Sequence, residues 1–495
     1  MRLPEADPGI LSRRADIVAY LRALVPGDGV IADGDALAAY DGDALSAYRQ
    51  KPIAAVLPET VEQVSAVLSY CDDAGIKVVP RGAGTSLSGG ALPLADGVLL
   101  VLSKLRRIKE IDYKNRCAVV EPGVTNQAIS EAVAAEGFYY APDPSSQIAC
   151  TIGGNVAENS GGVHCLKYGL TTNNILGVQI VLMSGEIVRF GGKHLDAGGY
   201  DFLGLLTGSE GLLGVVTEVT VRILPKPPMA RAVLIAFSSV TDAGACVADI
   251  IASGILPAGL EMMDANAIRA VEAYCAPGYP KDAAAMLLAE VDGTQRDVDA
   301  ACEKLRKVVT KAGALSIAES RTEAERLKLW AGRKAAFAAM GRISPDMLCM
   351  DGTIPRRELP HVLERMGEMA ARYGLPFANV FHAGDGNLHP LIMFDVMMPG
   401  DLEKAEEFGA EILKLCVSVG GVLTGEHGVG VEKRDLMGLQ FTEAELEQQM
   451  RVKCAFDPDH RLNPGKMFPE LHACAELSKV HVHRGQFRFP ELPRL

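Results

Sequence analysis

Apolar and polar positions alternate along the first half of the chain in a pattern that predicts mixed helices and strands. Apolar runs at 53–57 and 76–82 flank a stretch at 61–75 whose apolar residues recur at helical spacing. This order predicts a strand–helix–strand unit, and further β-rich runs follow it at short intervals. We therefore predict an α+β domain over residues 51–228, preceded by a segment of two short helices over residues 1–50.

A proline cluster at 225–228 ends this pattern and predicts a domain boundary. Beyond it, apolar strands mix with longer amphipathic helices, which predicts a second domain, the cap, over residues 229–425. A further segment at 426–470 holds a glycine-rich loop and an amphipathic helix. Residues 471–495 combine prolines with basic and aromatic residues, which favours an extended tail.

The composition narrows the class of protein. A net charge of −13 disfavours binding to nucleic acid or anionic lipid, because phosphate groups would be repelled. The eleven cysteines form no C-x-x-C pair, so the chain offers no such ligand set for an iron–sulfur cluster, and reduced thiols in the cytoplasm are favoured. No apolar stretch reaches the roughly 20 residues of a membrane-spanning helix, so we predict no direct membrane span.

A glycine-rich segment at 78–90 follows the second strand of the unit. Its glycines let backbone N–H groups approach a pyrophosphate closely, and its serine and threonine hydroxyls add donors. A Rossmann fingerprint would lead directly into a helix, which Gly89, Gly90 and Pro93 oppose here. For this segment alone, a glycine-rich surface turn is the alternative interpretation.

Two further polar, glycine-rich segments lie in the same predicted domain, at 142–162 and 206–216. The first combines rigid prolines with many hydrogen-bond donors, and the second precedes a β-branched strand. Three such loops in one α+β domain indicate a long ligand that crosses several strand ends, with its pyrophosphate on the first loop.

Two histidines flank a D-G-N turn, and β-type runs on either side of it predict a hairpin. The hairpin would bring His382 and His389 together, and a glycine-rich loop farther along offers Glu426. Two histidines and one carboxylate with open positions suit a divalent metal such as zinc, manganese or iron. The alternative is that each histidine only satisfies the backbone of a turn.

His427 and Arg333 complete the candidate site. His427 is left as a free base, because its unperturbed pKa of about 6.5 lets it accept a proton. Arg333 lies in a helical pattern beside an apolar face, and its guanidinium suits a substrate carboxylate, with Lys433 and Arg434 as secondary candidates. A solvated surface position is the alternative for Arg333.

The segments from about 51 to 228 resemble the FAD-binding domain of the vanillyl-alcohol-oxidase and p-cresol-methylhydroxylase (PCMH) superfamily. The resemblance implies a two-part PCMH-type domain that binds FAD. Some members attach the flavin through a histidine near the first loop, where this chain has Ser86, Leu87 and Ser88, so non-covalent FAD is implied. His164 and Cys165 are interpreted as buried structural residues. The residues implied to contact FAD are Pro80, Arg81, Gly82, Ala83, Gly84, Thr85, Ser86, Ser88, Gly89, Pro142, Asp143, Ser146, Gly153, Gly154, Asn159, Gly162, Glu210, Gly211, Gly214, Val216 and Asn463.

The second half of the chain resembles the C-terminal domain of FAD-linked oxidases that act on 2-hydroxy acids. The resemblance implies an α+β cap with an antiparallel sheet and a C-terminal segment that returns to the FAD domain. It also implies that His382, His389 and Glu426 bind the metal, that His427 is the base and that Arg333 holds the substrate carboxylate. Such a site would move hydride from the substrate Cα to flavin N5 while the metal polarises the hydroxyl.

The segments at 341–346 and 349–355 and the tail at 481–492 look like the glycolate oxidase branch of this family. The substrate-binding lysine of the hydroxyglutarate branch has no counterpart near 349–351, which favours glycolate or D-lactate. Because the chain lacks iron–sulfur ligands, the resemblance implies a second FAD-domain subunit and an iron–sulfur subunit that pass electrons toward quinone. These partners would hold a cytoplasmic protein on the inner face of the cell membrane.

Other functions remain open from the sequence. The chain could act alone as a D-lactate or D-2-hydroxyglutarate dehydrogenase. Ether-lipid synthesis or aryl-alcohol oxidation on the same scaffold would have been favoured by the absence of the paired histidines and Glu426. A non-catalytic FAD-binding subunit is the third possibility, and the intact His427 loop argues against it.

Overall fold

The structure is a computed structural model that describes residues 3–194 and 198–469. The predicted tail at 471–495, with the segment at 481–492, lies outside the described residues. None of the helices in the described part is both long and apolar enough to cross a bilayer.

The first part of the chain forms a small, mostly parallel sheet. Its elements are α1 (Pro8–Ser12), α2 (Arg14–Leu24), β1 (Val30–Ile31), β2 (Ala54–Val56), α3 (Val61–Ala74), β3 (Lys77–Arg81) and β4 (Gly97–Val101). The strand order is β1-β2-β4-β3, with β2, β4 and β3 parallel. The Thr60 side chain accepts a hydrogen bond from the Gln63 N–H at the start of α3, and Gly75 ends the helix at φ 72°. The predicted strand–helix–strand unit is confirmed, whereas the second predicted short helix is a 3₁₀ turn at Ala36–Tyr40.

An antiparallel five-stranded sheet follows, in the order β5-β6-β10-β8-β9. Its strands are β5 (Ile108–Asp112), β6 (Cys117–Val120), β8 (Ile175–Val181), β9 (Ile187–Gly191) and β10 (Val215–Arg222), and β7 (Phe138–Tyr139) pairs separately with β11 (Leu224–Pro225). The helices of this part are α4 (Asn126–Val133), α5 (Ile152–Glu158), α6 (Cys165–Tyr168), α7 (Thr171–Asn174) and α8 (Phe202–Leu206).

The prediction that the segment at 142–162 is a loop is wrong for α5. A helix forms despite two glycines because Gly153 packs directly on Pro122, where a Cβ would lie 2.7 Å from the proline Cβ. Asn159 then ends the helix at a φ of 54°, a left-handed conformation that asparagine tolerates. The helix starts at the cavity described below.

The cap contains a seven-stranded antiparallel sheet in the order β15-β12-β14-β13-β17-β18-β16. Its strands are β12 (Met229–Phe237), β13 (Gly259–Asp264), β14 (Ala285–Gly293), β15 (Ser316–Glu319), β16 (Asp346–Cys349), β17 (Phe377–Phe381) and β18 (Pro390–Phe394). The helices in this part are α9 (Val240–Ala252), α10 (Ala265–Cys275), α11 (Gln295–Lys311), α12 (Glu323–Lys334), α13 (Ala336–Met340) and α14 (Leu359–Tyr373). The expected antiparallel sheet of the cap is confirmed.

Helices cover both faces of the cap sheet. In β12, Val233 and Ile235 belong to the core on the side of α9, α11 and α14, whereas Leu234 packs with Trp330 of α12 on the opposite side. This alternation follows from the two-residue repeat of a strand. With both faces buried, polar side chains within the sheet must find partners inside the protein.

The last helices are α15 (Asp401–Ser418), α16 (Met437–Gln440) and α17 (Glu443–Phe456). After α17 the chain returns to the first sheet, where the Val78 N–H donates to the carbonyl of Arg461 at 2.8 Å and the Asn463 N–H to the carbonyl of Val78 at 2.7 Å. Lys466 donates to the carbonyl of Leu92 at 2.8 Å. The end of the described chain therefore completes the strand that leads into the first glycine-rich loop.

Candidate active site

A cavity of about 420 Å³ lies between the glycine-rich loops and the cap. Its wall combines backbone-rich segments after β3, at the start of α5 and before β10 with side chains of α12 and of the loop after α15. A few polar groups in an otherwise apolar wall are typical of a cofactor or substrate site.

Fourteen of the residues predicted to contact FAD line this cavity: Pro80, Arg81, Gly82, Ala83, Gly84, Thr85, Ser86, Ser146, Gly153, Gly154, Glu210, Gly211, Gly214 and Val216. Glycine is required at several of these positions because the loops touch each other. A Cβ on Gly82 would lie 2.4 Å from Oγ1 of Thr151, and one on Gly211 would lie 2.6 Å from Pro80 Cγ. The close contact between the three segments leaves a cradle whose wall is largely backbone.

Seven predicted FAD contacts are not part of the cavity wall: Ser88, Gly89, Pro142, Asp143, Asn159, Gly162 and Asn463. Several of them support the wall from behind. Ser88 donates to the carbonyl of His427 at 2.9 Å, and Asn463 Nδ2 donates to the carbonyls of Gly90 and Glu210 at 3.2 and 2.6 Å. Asn463 thus joins the first and third loops.

His164, which the sequence suggested was structural, joins the cofactor-side loops to the cap. Nδ1 lies 2.7 Å from a carboxylate oxygen of Asp143, and Nε2 lies 3.2 Å from Glu290 Oε1 on β14. Burial opposes protonation, but these two carboxylates outweigh it and raise the pKa of His164 to about 10. The imidazolium is therefore a cationic bridge between the two parts of the chain.

The predicted hairpin brings the three metal-ligand candidates together. Glu426 Oε1 lies 3.2 Å from His382 Nε2 and 2.9 Å from His389 Nε2. The three ligand atoms lie within 4.8 Å of one another. Burial alone would raise the pKa of Glu426, but the two histidines hold it well below its usual range. Two imidazoles and a carboxylate at this spacing fit a divalent ion in place of the direct contacts.

Glu261 on β13 lies behind His382 and was not found from the sequence. Its Oε1 lies 2.8 Å from His382 Nδ1, and its Oε2 accepts Arg333 Nε at 2.8 Å and Nη2 at 2.7 Å. The carboxylate fixes the ring of a metal-ligand candidate, as supporting carboxylates in metal sites do. The only signal in the sequence is an acidic residue within the apolar strand GLEMMD.

Asp351, two residues after the end of β16, organises the loop that carries Glu426. It accepts the backbone N–H groups of Gly425, Glu426 and His427 at 2.9, 3.1 and 2.8 Å. Burial would raise the pKa of Asp351, but His427, Lys433 and His389 lower it to about 2. The ionised carboxylate therefore substitutes for the missing backbone partners of a tight loop.

His427 lines the cavity beside Glu426, and its ring stacks on His389 at 4.8 Å and 9°. Its Nδ1 is buried without a hydrogen-bond partner. Burial lowers the pKa of His427 to about 4, although Asp351 opposes this shift. The imidazole is thus neutral at physiological pH and a weaker base than the expectation from an unperturbed pKa of about 6.5 assumed.

The buried Glu210 and the half-buried Glu158 lie against the His427 loop on the side of the glycine-rich segments. Glu210 accepts the N–H groups of Val429 and Gly430 at 2.6 and 2.7 Å. Gly428, at φ 82°, leaves room for Glu158, whose Oε2 would lie 2.0 Å from a Cβ at that position. Burial raises the pKa of both acids, because their charged forms lose hydration.

Arg333 lines the cavity but is fully buried, so the alternative of a solvated position is wrong. Its Nε and Nη2 are paired with Glu261, and Nη1 has no hydrogen bond within the described residues. The next residue, Lys334, also lines the cavity, is exposed, and forms no ion pair within the described part of the chain. The secondary candidates Lys433 and Arg434 are not in the cavity wall, since they donate to the carbonyls of Gly428 and Gly465.

Comparison with known proteins gives the family. Residues 52–191 match an FAD binding domain, and residues 226–467 match the family described as "FAD linked oxidases, C-terminal domain". A glycolate oxidase subunit GlcD of Escherichia coli strain K12 is 54% identical over 99% of this chain and 97% of its own length. The chain belongs to the FAD-linked oxidase family. Its prediction as an FAD-linked oxidoreductase of the 2-hydroxy-acid type is confirmed.

Other relatives of this FAD-linked oxidase extend the comparison. The Bacillus subtilis glycolate oxidase subunit GlcD is 39% identical over 84% of the chain and 89% of its own, and a D-lactate dehydrogenase of Archaeoglobus fulgidus is 34% identical over 84% and 91%. Among solved structures, 4-ethylphenol oxidase from Gulosibacter chungangensis matches with a TM-score of 0.80 and 19% identity over 95% and 99% of the two chains. p-Cresol methylhydroxylase matches with a TM-score of 0.78 and 19% identity over 94% and 98%. These structures confirm the predicted PCMH-type fold.

Proposed function

We propose that this FAD-linked oxidase oxidises a small 2-hydroxy acid, glycolate or D-lactate, to the 2-oxo acid. The observation that supports it most is that His382, His389 and Glu426 lie together, and that His389 and Glu426 line the same cavity as the glycine-rich loops. The relatives named for glycolate and D-lactate agree with this substrate class.

The cavity fits non-covalent FAD. Gly82 and Gly211 let the glycine-rich loops pack directly on one another, which leaves a largely backbone wall of the kind expected where N–H groups approach a pyrophosphate. Ser86 and Leu87 line the cavity where covalent relatives carry a histidine. Bound FAD would supply the hydride acceptor. The residues of the glycine-rich loops would hold it in the cavity that His427 also lines.

The residues His382, His389 and Glu426 would hold a divalent metal, with zinc, manganese and iron as candidates. Two imidazoles and one carboxylate leave positions open for the oxygens of a substrate. A metal there would supply Lewis acidity toward the hydroxyl group. Glu261 keeps the proton of His382 on Nδ1, so that Nε2 remains free to act as a ligand.

The charges of the site favour a substrate with one negative group. Arg333 is balanced by Glu261, and Lys433 lies 3.6 Å from Asp351. A divalent ion with Glu426 as its one charged ligand would leave one positive charge, which a single carboxylate would neutralise, and the exposed Lys334 adds a solvent-screened attraction to the same group. Arg333 Nη1 is free to donate to that carboxylate while Nε and Nη2 stay on Glu261.

We assign to His427 the role of accepting the hydroxyl proton. Its Nδ1 is buried, so Nε2 is the nitrogen that we assign to the substrate. Asp351 accepts the backbone N–H of His427 at 2.8 Å, which fixes the loop, and its charge stabilises the imidazolium that forms. The His389 ring stacks on the His427 ring and fixes the plane of the His427 ring.

We also propose that the electrons leave through partner subunits. The chain has no C-x-x-C pair for an iron–sulfur cluster, and relatives at 54% and 39% identity are named as subunits. A second FAD-domain subunit and an iron–sulfur subunit would carry the electrons toward quinone and hold the protein on the inner face of the membrane.

Anaerobic mixing of the purified FAD protein with each acid tests the proposal. We expect glycolate or D-lactate to bleach the visible absorbance of the flavin, with D-2-hydroxyglutarate as the comparison substrate. Flavin that stays oxidised with all three acids would support a non-catalytic FAD-binding subunit instead. Turnover with an artificial electron acceptor, measured with and without the partner subunits, shows whether the chain acts alone.

A further inference from the structure

A second set of potential metal ligands shares His389 with the first set. Cys349, His389 and His427 each place one ligand atom within 4.8 Å of the other two. Cys349 ends β16 opposite Leu391 of β18. His389 precedes Leu391 by two residues, so its side chain lies on the same face and is a diagonal neighbour of Cys349. His427 joins them by stacking on His389.

The polar atoms of this set have poor partners. Within the described residues, His427 Nδ1 is buried with no hydrogen bond. Cys349 Sγ donates a weak hydrogen bond to the carbonyl of Met350 at 3.6 Å, and His389 Nδ1 lies 3.4 Å from the same carbonyl, which is long for a nitrogen donor. The buried Cys349 and His389 and the half-buried His427 therefore lie together without hydrogen-bonding one another.

We propose that Cys349, His389 and His427 form an inhibitory binding site for a thiophilic divalent ion such as Cd²⁺. A thiolate with two imidazoles is a softer ligand set than two imidazoles with a carboxylate, so it favours Cd²⁺ over harder ions such as manganese. Binding replaces the S–H bond of Cys349 by a metal–sulfur bond, and the proton leaves to solvent without any redox change. His389 and His427 line the cavity, which gives the ion its entry path.

The inhibitory effect rests on the proposed function, whereas the binding does not. An ion in the second site would engage His427, the proposed base, and would draw His389 away from Glu426. Either change would stop turnover while FAD stays bound. Cys349 itself lies outside the cavity wall, so it can be changed without altering the residues proposed to contact substrate.

The binding test compares the FAD-loaded wild type with C349S and C416S. Cys416 is the matched control, because it is an equally buried thiol that packs against Gly352 and belongs to neither ligand set. We expect Cd²⁺ to produce an ultraviolet Cd–thiolate absorption band of the same size in the wild type and in C416S, and a band smaller by the contribution of one thiolate in C349S, where the exposed Cys275 and the half-buried Cys454 remain. A band of equal size in C349S would overturn the proposal. C349A, checked for FAD content, gives the same comparison if C349S does not fold.

The inhibition test measures the Cd²⁺ concentration that halves turnover, normalised to the activity of each variant. Loss of one thiolate ligand should raise this concentration by about tenfold or more in C349S and leave it unchanged in C416S. Equal inhibition of C349S and wild type would show that Cd²⁺ acts at the His382 set and would contradict the inhibitory role. If no acid reduces the flavin at all, the absorption band still tests the site, so failure of the proposed function is distinguishable.

Discussion

The link between Glu261, His382 and Arg333 leads to a prediction with two separable magnitudes. In E261Q, the buried Arg333 loses its counter-charge, and both side chains of this pair are almost fully inaccessible, at 2% and 1% exposure. Removing one partner of a buried pair costs about 3–5 kcal/mol, because the remaining charge stays desolvated. His382 also loses its orienting carboxylate, which lowers metal affinity by about 10- to 100-fold.

The double variant E261L/R333M separates the two effects. It removes both charges, so we expect most of the lost unfolding free energy to return while the metal affinity stays low. Urea denaturation of the metal-free protein measures the first quantity, and titration against a competing chelator measures the second. The two measurements therefore separate the destabilisation caused by an unpaired charge from the loss of metal affinity caused by a less well oriented His382.

E290Q is the matched control. Glu290 is an equally buried acid on the adjacent strand, where it pairs with Arg326 at 2.7 Å and with His164 at 3.2 Å, but it touches no metal-ligand candidate. We expect E290Q to lower stability and leave metal affinity unchanged. Equal metal affinity in E261Q and wild type would refute the assigned role of Glu261. If the unfolding free energy of E261Q equals that of the wild type, the unpaired guanidinium of Arg333 does not destabilise the fold as predicted.

Three further predictions follow from the site. H382A should lose bound metal and turnover but retain FAD, measured by metal analysis and flavin absorbance, and unchanged activity would remove the metal from the proposed reaction. Burial alone would lower the pKa of His164, but Asp143 and Glu290 raise it to about 10. The protonated side chain should therefore stabilise the fold fully below about pH 6.5, and this stabilisation should be lost as the pH rises through 10. Unfolding free energies near pH 6 and pH 9 should differ in the wild type and converge in H164Q, and the same pH dependence in both proteins would contradict the prediction. K334Q should raise KM about fivefold with kcat unchanged, because the substrate carboxylate loses about 1 kcal/mol of attraction to the lysine. K328Q, on the same helix, should leave KM unchanged. A fall in kcat alone in K334Q would contradict the prediction.

Local patterns in the sequence were sufficient to predict the hairpin and many of the residues that line the cavity. The D-G-N turn predicts that His382 and His389 lie together, because a tight turn fixes the distance between its flanking residues. The structure also brings Glu426 to them, as the resemblance implied. The glycine-rich loops were located correctly because glycine spacing marks positions where backbones meet, as Gly82 shows.

Residues that act through long-range pairing were not predicted. Glu261 and Asp351 are single acids in apolar stretches, and their roles depend on which strands pair in the cap sheet, which periodicity does not reveal. The partner of Arg333 was missed for the same reason. Helix α5 was missed because glycine opposes helix formation locally, whereas the structure buries Ile152 and Val156 of the helix and packs Gly153 on Pro122.

The return of the chain to Val78 has a consequence for biosynthesis. Asn463 contacts Gly90 across 373 positions of sequence. At ribosomal rates of about 5–20 residues per second, the nascent chain would wait about 20–75 s for this contact. The first and third glycine-rich loops would thus stay unjoined while the intervening residues are synthesised. Truncation just before Leu462 should therefore yield protein that cannot retain its flavin, even though all three glycine-rich loops are present.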